Sequence, residues 1–397
     1  VGDKVDTKDY IYLDHSATTP VDPKVLDAMQ RVLTQNYGNP SSMHQLGQEG
    51  ARLIDDSRSQ IAQVLNSTRS EIVFTSGGTE SDNSAIKGAA FALKDQGNHI
   101  ITTSIEHHAV LHTCEWLEKF AGFKVTYLNP DKEGFISADQ VIDAITDETT
   151  VVSLMYVNNE IGVIEPIAEI AKALNDYQEK NNRKIVFHSD AVQAAGWLSL
   201  DVDELGVDMM SLSAHKFYGP KGVGILYIKE GTPYSGYING GSQENNRRAG
   251  TENTAGIVGI GVALSLAEQN RPTVVPRVSK LRDSLLRGIL KIPDIYINGP
   301  ESEGRIANNI NVSVKGVEIE SLIINLDMLG VAVSSGSACT SGSVEPSHVL
   351  LGLGLPSDLS STSLRITLGK GNTENHIKTV LDTLPNIIDR VRYLNKR

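Results

Sequence analysis

The hydrophobic positions between about residues 70 and 230 follow two alternating periods. Short apolar runs rich in β-branched residues predict strands, and stretches with helical spacing follow several of them. The predicted strands are 71–76, 99–104, 124–129, 149–157, 184–189, 209–213 and 223–228. Strand–helix alternation is typical of a mainly parallel sheet covered by helices on both faces, with ligands at the carboxyl ends of the strands. The pattern therefore predicts an α/β fold on a seven-stranded sheet.

The pattern changes after about residue 270. The segment NRPTVVPRV, 270–278, carries two prolines and is predicted to be a linker that opens a second, smaller α/β domain. We accordingly predict a large domain over 16–268 and a small domain made of 1–15 and 269–397. In the small domain, helices are predicted near 277–291, 318–329 and 374–394, and strands near 308–314 and 364–368.

Composition and charge narrow the classes of function. The chain has 397 residues, of which 40% are hydrophobic and 21% charged, and its formal net charge is −12. Direct binding of nucleic acid is not expected, because proteins that bind it are more often basic. The longest nearly apolar stretch, 255–267, is shorter than the ~18 residues that a membrane span requires. No secretory signal pattern opens the chain, so we expect no membrane association.

The two cysteines lie in different surroundings. Two cysteines make no disulfide framework and fit a reducing compartment, so we expect a cytoplasmic protein. Cys114 shares helical spacing with the apolar positions Val110 and Leu117, which predicts a buried structural thiol. Cys339 lies in SSGSACTSGS, 334–343, a polar segment without an apolar stripe. The pattern therefore predicts a reactive thiol only at Cys339.

The segment SLSAHKFYGPKG, 211–222, places a lysine at the end of a predicted strand. Lys216 follows His215 directly and Ser213 by three positions. A lysine held where its pKa is depressed can form a Schiff base. The alternative is a surface lysine in a turn, because GPKG has the composition of a turn.

The segment FHSDAVQ, 187–193, places Asp190 just past a strand. A carboxylate there can pair with a protonated ring nitrogen, as pyridoxal phosphate requires, and Gln193 could donate to the ring's phenolate oxygen. Alternatively, Asp190 caps a helix that starts at Ala191, and the two roles are compatible.

The segment TSGGTES, 75–81, places two glycines and then Thr79 between a strand and a helix. The backbone N–H groups at such a helix start form a cradle for a phosphate. The segment lacks the Gly-Lys-Ser/Thr ending of a nucleotide P-loop, so ATP binding is disfavoured. A capped helix without a ligand is the alternative reading.

Histidines and an arginine complete the candidate chemistry. His108 and His112 stand four apart, as zinc ligands would, but no glutamate follows the first and no third ligand is evident, so a metal site is disfavoured. His107, at the helix start, is better placed to project over a bound ring. Arg365 lies in a predicted strand and could clamp a substrate carboxylate, although a surface ion pair is the alternative. Two amides and a carboxylate follow a strand in VNNEIG, 157–162.

Together these motifs closely resemble the NifS/IscS-type cysteine desulfurases, within the class V, fold-type I pyridoxal-phosphate enzymes. The resemblance extends from YLDHSATTPVDP, 12–23, to SLRITLG, 363–369. The family's motifs occur in order as NPSSMHQLG, TSGGTESDN, EHHAV, VNNEIGV, SDAVQ, SAHKFYGPKG, RRAGTEN and SSGSACTSG. The resemblance implies a fold-type I pyridoxal-phosphate-dependent transferase with a large and a small domain.

The resemblance also implies a role for each candidate residue. Lys216 would bind pyridoxal phosphate as a Schiff base, Asp190 would pair with its pyridine nitrogen, and Cys339 would be the nucleophile. The phosphate would be bound by Gly78, Thr79, Ser213 and His215, with Thr251 from the other subunit of a homodimer. His107 would stack on the ring, and Gln193 would contact the ring hydroxyl. The substrate carboxylate would be bound by Asn159 and Arg365.

The implied reaction converts L-cysteine to L-alanine and leaves a persulfide on Cys339. The sulfur would pass to an iron–sulfur scaffold protein or another acceptor, and Cys339 would transiently bind an iron–sulfur cluster with a partner. The chain ends at RVRYLNKR, so docking through the C-terminal extension of some family members is not expected. The alternatives are a selenocysteine lyase, a non-catalytic sulfur-relay subunit, which usually loses the lysine or the cysteine, and an ordinary aminotransferase.

Overall fold

The computed structural model describes residues 10–301, 303–336 and 346–395. The strands are β1 (Ile11–Tyr12), β2 (Ile72–Thr75), β3 (His99–Thr103), β4 (Lys124–Leu128), β5 (Thr149–Ser153), β6 (Val186–Asp190), β7 (Met209–Ser213), β8 (Gly224–Ile228), β9 (Ile295–Ile297), β10 (Asn309–Val314), β11 (Val331–Ala332) and β12 (Ser363–Thr367).

The helices alternate with these strands through much of the chain. They are α1 (Pro23–Thr34), α2 (Gln45–Leu65), α3 (Gly78–Ala92), α4 (His108–Ala121), α5 (Ala138–Asp143), α6 (Ile167–Asn181), α7 (Val202–Leu205), α8 (Thr254–Ile289), α9 (Ile319–Asp327), α10 (His348–Gly352), α11 (Ser357–Ser360) and α12 (Glu374–Asn395).

The central sheet has seven strands in the order β2-β8-β7-β6-β5-β3-β4. Its strands are the seven predicted from the sequence. Neighbouring apolar residues such as Val186–Phe187 and Ile225–Leu226 point to opposite faces of the sheet, and both members of each pair are buried. Within this sheet only β8 runs antiparallel to its neighbours. The carboxyl ends of β2, β7, β6, β5 and β3 therefore meet at one edge. The predicted mainly parallel α/β sheet is confirmed.

A second sheet lies in the later part of the chain. Strands β12, β10 and β9 pair antiparallel in that order, with Asn311 opposite Arg365. The chain's first described strand, β1, pairs in parallel with β11. A bridge between Asp14 and Thr367 continues this contact to β12. The segment after β1 therefore crosses from the second sheet to the edge of the central one.

Helix α8 overturns one expectation. The segment 270–278, predicted to be a linker, lies inside this 36-residue helix, and the domain boundary proposed at 268/269 falls within it. Pro272 and Pro276 are four residues apart and exposed, so the carbonyl groups that lose their N–H partners can bind water. The buried side of α8 packs on α1, α2 and α12. This burial offsets the two missing hydrogen bonds.

The apolar core is continuous between the two sheets. One cluster of buried side chains includes Val152 and Leu212 of the central sheet, Ile260 of α8, and Val312 and Leu364 of the second sheet. In 10–301, 303–336 and 346–395, no helix combines the length and apolar character needed to cross a membrane.

Candidate active site

A cavity of about 420 Å³ opens at the carboxyl edge of the central sheet. Its walls come from the ends of β6 and β7, the start of α3, the segment after β1 and the second sheet. The lining residues are Ser16, Ala17, Gly78, Thr79, Asp82, His107, Met155, Val157, Asn159, Asp190, Val192, Gln193, Ser213, His215, Lys216, Ser334, Gly336 and Arg365. All the site residues predicted from the sequence are among them except Thr251 and Cys339.

Thr251 and Cys339 stand apart from this set for different reasons. Thr251 lines a separate cavity of about 190 Å³, together with Ser76, Gly222 and Arg248. Cys339 lies outside the described residues. The role of Thr251 as a residue supplied by another subunit therefore stays a prediction.

Lys216 ends a short 3₁₀ turn that directly follows β7. Its amine donates hydrogen bonds to the carbonyl oxygens of Ala17, at 2.9 Å, and Ser16. Burial, and next the positive charge of Arg365, lower the pKa of Lys216 to about 8, although Asp190 and Asp14 act in the opposite direction. A lysine in these surroundings has a large neutral fraction at mildly alkaline pH, which nucleophilic attack on a carbonyl requires.

Asp190 is the last residue of β6 and is buried. Its Oδ1 accepts a hydrogen bond from the backbone N–H of Val192 at 2.9 Å, so the carboxylate caps the following turn as well as lining the cavity. Burial raises the pKa of Asp190 to about 6, while that backbone hydrogen bond and Lys216 oppose the rise. At neutral pH this carboxyl is largely an anion in a low-dielectric wall, which favours a cationic ligand group.

The start of α3 forms a close-fitting wall of the cavity. Gly77 has φ +151°, and Gly78 lies so near Val192 that an added Cβ would come within 2.9 Å of its Cγ2. Gly78, Thr79 and Ser213 all line the cavity. The first N–H groups of this 15-residue helix have no helical partners, and the positive end of the helix dipole reinforces them. The arrangement suits an anion such as phosphate.

His107 is the N-cap of α4, and its Nδ1 accepts from the N–H of Ala109 at 3.1 Å. This bond orients the imidazole on the cavity wall. Desolvation by the surrounding protein, and next the charge of Lys216, lower the pKa of His107 to about 4. The neutral imidazole can therefore pack on a planar ligand, and its hydrogen lies on Nε2 as a donor.

Arg365 lies on β12 and is 5% exposed, so the alternative of a surface ion pair is wrong. Its Nη2 pairs with Asp14 at 2.9 Å and its Nη1 donates to the carbonyl oxygen of Asn159 at 3.1 Å. Its Nε has no hydrogen-bond partner among the described residues. A buried guanidinium with donor capacity left is suited to a carboxylate ligand.

Both ends of the segment that carries Cys339 lie at or near the cavity. On one side, Ser334 and Gly336 line it. On the other side, the Ser347 hydroxyl donates to the buried carboxylate of Glu160 at 2.5 Å. In the sequence, Cys339 follows Gly336 by three positions.

Sequence reasoning missed several residues of the cavity. Ser16 and Ala17 contribute backbone oxygens, for which side-chain patterns hold no signal. Ser334 comes from the edge of the second sheet, and the pairing of that sheet is non-local. Asp82 carried a usable signal, because an acidic residue stands one turn into the helix of the TSGGTES motif.

Three further histidines, His108, His112 and His348, lie close together beside α4. The ring centroids of His108 and His112 are 4.8 Å apart, and those of His108 and His348 are 4.7 Å apart. Across the described part of the chain, no three His, Cys, Asp or Glu side chains come together in a group that could hold a metal ion. Cys114 is buried, as predicted, and burial raises the pKa of its thiol.

Comparison of the sequence with known proteins shows the family to which the chain belongs. The Aminotransferase class-V family matches residues 11–380. The cysteine desulfurase IscS of Clostridium botulinum is 51% identical over 387 residues, which cover 97% of this chain and 96% of that protein. The cysteine desulfurase IscS of Methanosarcina thermophila is 48% identical over 395 residues, which cover 99% of this chain and 96% of that one.

Comparison with solved structures agrees. A NifS-like protein superposes with a TM-score of 0.89 at 35% identity and covers 96% of this chain and 100% of its own. A NifS-like protein from Rickettsia africae superposes with a TM-score of 0.84 at 30% identity, covering 96% and 99% of the two chains.

Proposed function

Because the chain belongs to the class-V aminotransferase family and is a cysteine desulfurase that uses pyridoxal phosphate, we propose that the cavity at the carboxyl edge of its sheet binds this cofactor and L-cysteine. The observation that carries the proposal is that Lys216, Asp190 and the start of α3 line one cavity. These are an amine, a buried carboxylate and a phosphate cradle, which are the three groups that the cofactor's aldehyde, ring nitrogen and phosphate need.

The chemistry of these side chains fits the cofactor. The start of α3, with Thr79, Ser213 and His215, would hold the phosphate, and Gly78 leaves room for it where a Cβ would collide with Val192. Asp190 would bind the ring nitrogen, Gln193 the ring hydroxyl, and His107 the face of the ring. Lys216 would form the Schiff base. When bound, pyridoxal phosphate supplies an electron sink for the charge that develops at Cα of the substrate.

The residues around the bound cofactor would bind the substrate and move its protons. Arg365 and Asn159 would hold the carboxylate of L-cysteine, which directs Cα toward Lys216. Since the pKa of Lys216 is lowered to about 8, its neutral amine can take the proton from Cα at mildly alkaline pH. His107, neutral because its pKa is lowered to about 4 and with its Nδ1 accepting from Ala109, would carry its hydrogen on Nε2 and could donate it near the substrate thiol.

We propose Cys339 as the sulfur acceptor within the chain. Its thiolate would attack the substrate sulfur, forming an S–S bond while the Cβ–S bond breaks. The electron pair of that bond stays on the substrate carbon, which takes up a proton and becomes the methyl group of alanine. L-cysteine and the Cys339 thiol thus give L-alanine and a persulfide without an external oxidant. Support comes from the sequence, in which Cys339 follows the cavity-lining Gly336 by three positions.

A homodimer is part of the proposal. Large apolar side chains are exposed along one stretch around α1 and the start of α2, a feature typical of an interface; they are Leu26, Leu33, Tyr37, Met43 and Leu46. Thr251 faces a cavity other than the one formed by its own Lys216. We propose that Thr251 completes the phosphate site of a second copy.

The remaining proposals concern partners and location. The persulfide sulfur would pass to an iron–sulfur scaffold protein or another acceptor, and Cys339 would contact a cluster only during that transfer. A free reactive thiol suits a reducing compartment, so we propose the cytoplasm. We also propose that residues 16–268 form a large domain and 1–15 with 269–397 a small one, joined through α8.

The test is the intact mass of the protein loaded with pyridoxal phosphate, after brief exposure to L-cysteine without reductant. One added sulfur on the peptide that contains Cys339, with alanine released, is the expected result. Cys339→Ala should abolish the added sulfur but keep the cofactor's absorption band. The matched control is Cys114→Ala, which should behave like the wild type because Cys114 is buried.

Four outcomes would contradict parts of the proposal. Added sulfur on Cys114, or alanine formed at full rate by Cys339→Ala, would exclude Cys339 as the nucleophile. A keto acid in place of alanine would indicate an aminotransferase. Turnover of L-selenocysteine without turnover of L-cysteine would indicate a selenocysteine lyase.

A further inference from the structure

Asp82 is a cavity-lining carboxyl group that the proposed reaction does not use. It lies one turn into α3, is 1% exposed and lines the same cavity as Asp190. Its Oδ1 has no hydrogen-bond partner among the described residues. A buried acid with an unsatisfied oxygen costs free energy, so its presence needs an explanation outside the stability of the fold.

The neighbours of Asp82 hold it beside Asp190. The strand residues His188 and Asp190 point to the same face of β6, because side chains two apart share a face. Ser211 of β7 is the register partner of Asp190 and donates its hydroxyl to Asp82. The Nε2 of His188 lies 3.7 Å from Oδ1 of Asp82 and 2.9 Å from the Ser211 hydroxyl. Asp82 therefore belongs to a buried polar network that lies on the same side of β6 as Asp190.

The charges around Asp82 are dominated by acids. Asp190 and the buried Glu106 both oppose its ionisation, and burial opposes it more strongly, so the pKa of Asp82 lies well above its usual range. His188 offers no counter-charge, because burial lowers its pKa to about 3. In the cofactor-free chain, burial and the neighbouring acids therefore favour the protonated form of Asp82.

We propose that Asp82 is a positioning residue for the cationic ring nitrogen of the cofactor, acting as a second carboxyl group behind Asp190. A positive charge placed at Asp190 offsets the repulsion between the two carboxyl groups and so lowers the pKa of Asp82 toward its ordinary value. Asp82 then releases its proton to solvent and contributes a second negative charge to the site. This inference rests on the proposed binding of pyridoxal phosphate at Asp190.

Asp82→Asn should change the thermal stability and the affinity for pyridoxal phosphate in opposite directions. A buried acid with a raised pKa stabilises the folded chain fully only below its ordinary pKa, and this contribution is lost as the pH rises toward the folded-state value. Asparagine lacks that pH dependence, so the cofactor-free variant should have a higher Tm than the wild type at pH 8. It should also bind pyridoxal phosphate more weakly, because it cannot become an anion.

The experiment measures both quantities on the cofactor-free protein without using turnover. The Kd of pyridoxal phosphate is measured by equilibrium dialysis at pH 6 and at pH 8. We expect Asp82→Asn to weaken binding about tenfold at pH 8 and much less at pH 6, where less of Asp82 can ionise. The Tm of the cofactor-free variant should exceed that of the wild type at pH 8, with a smaller difference at pH 6.

Glu165→Gln is the matched control. Glu165 is also buried, its Oε1 has no partner among the described residues, and burial raises its pKa to about 8. It does not line the cavity. Glu165→Gln should therefore raise the Tm of the cofactor-free protein at pH 8 and leave the Kd of pyridoxal phosphate unchanged.

Each result decides the inference. Equal Kd values for Asp82→Asn and the wild type at both pH values, or an equal loss of affinity at both, would overturn it. If Asp82→Asn does not fold, infrared difference spectra of the wild type on adding pyridoxal phosphate at pH 8 replace it. Loss of a protonated-carboxyl band supports the inference and its persistence overturns it. Wild-type protein that binds no pyridoxal phosphate would instead refute the proposed function.

Discussion

The amine of Lys216 should titrate far below an ordinary lysine in the cofactor-free protein. Its pKa is lowered to about 8, mainly by burial and next by Arg365. At pH 8 about half of the Lys216 amine is then neutral, compared with roughly 0.4% for a lysine of ordinary pKa about 10.4. The structure therefore predicts that Lys216 is about a hundredfold richer in the reactive form.

Arg365→Gln perturbs this value in a defined direction. The substitution removes a positive charge that lowers the pKa of Lys216, and it frees Asp14, whose negative charge raises it. Both changes favour the protonated amine, so the midpoint should rise. A rise of one unit would reduce the neutral fraction at pH 8 from about half to about a tenth. Because burial remains, the midpoint should stay below that of a free lysine.

Competitive labelling measures the midpoint directly. Trace acetic anhydride is added to the cofactor-free protein between about pH 6 and about pH 11, with a lysine peptide as internal standard, and the Lys216 peptide is quantified by mass spectrometry. Arg31→Gln is the matched control, because Arg31 is exposed on α1 and is not among the charges that shift Lys216. A wild-type midpoint near 10.4, or a midpoint lowered by Arg365→Gln, would refute the reasoning.

Three further predictions concern other residues. Glu244→Gln should lower the free energy of unfolding, measured by denaturant titration, by about 3 kcal/mol. The substitution leaves the largely buried Arg58, which lies 2.6 Å from Glu244, without a charged partner. An unchanged free energy of unfolding would contradict this prediction. Cys114 in the native protein should resist thiol reagents until the chain unfolds, since burial raises its pKa; rapid labelling would count against the buried thiol. Gly78→Ala should weaken binding of pyridoxal phosphate at least tenfold, because its Cβ would meet Val192 at 2.9 Å, whereas equal affinity would contradict the proposed cradle.

The elements that the sequence predicted well are those with local physical causes. The strands of the central sheet are short apolar runs buried on both faces, and their predicted bounds agree with the structure to within one or two residues for most of them. The strand predicted for 149–157 instead ends at Ser153. Short strands such as β9, with three residues, carried too little pattern to be found.

The errors share a non-local cause. Two prolines indicated a linker, but burial of α8 against α1, α2 and α12 outweighs their local cost. Arg365 in isolation favoured a surface ion pair, whereas pairing of β12 with β10 places it inside the molecule beside Asp14. In both cases a local preference is weaker than the burial that distant segments provide.

Residue type and local order indicated the candidate groups of this protein, and the order of its motifs indicated their chemistry: a lysine after one strand, an aspartate after another, a glycine pair before a helix and a cysteine in a polar segment. Whether these groups meet was decided only by the tertiary structure, because β8 reverses and the neighbouring strands end at one edge. Their electrostatic properties were decided there too. The lowered pKa of Lys216 and the raised pKa of Asp82 come from burial among charges far away in the chain, which no local pattern records.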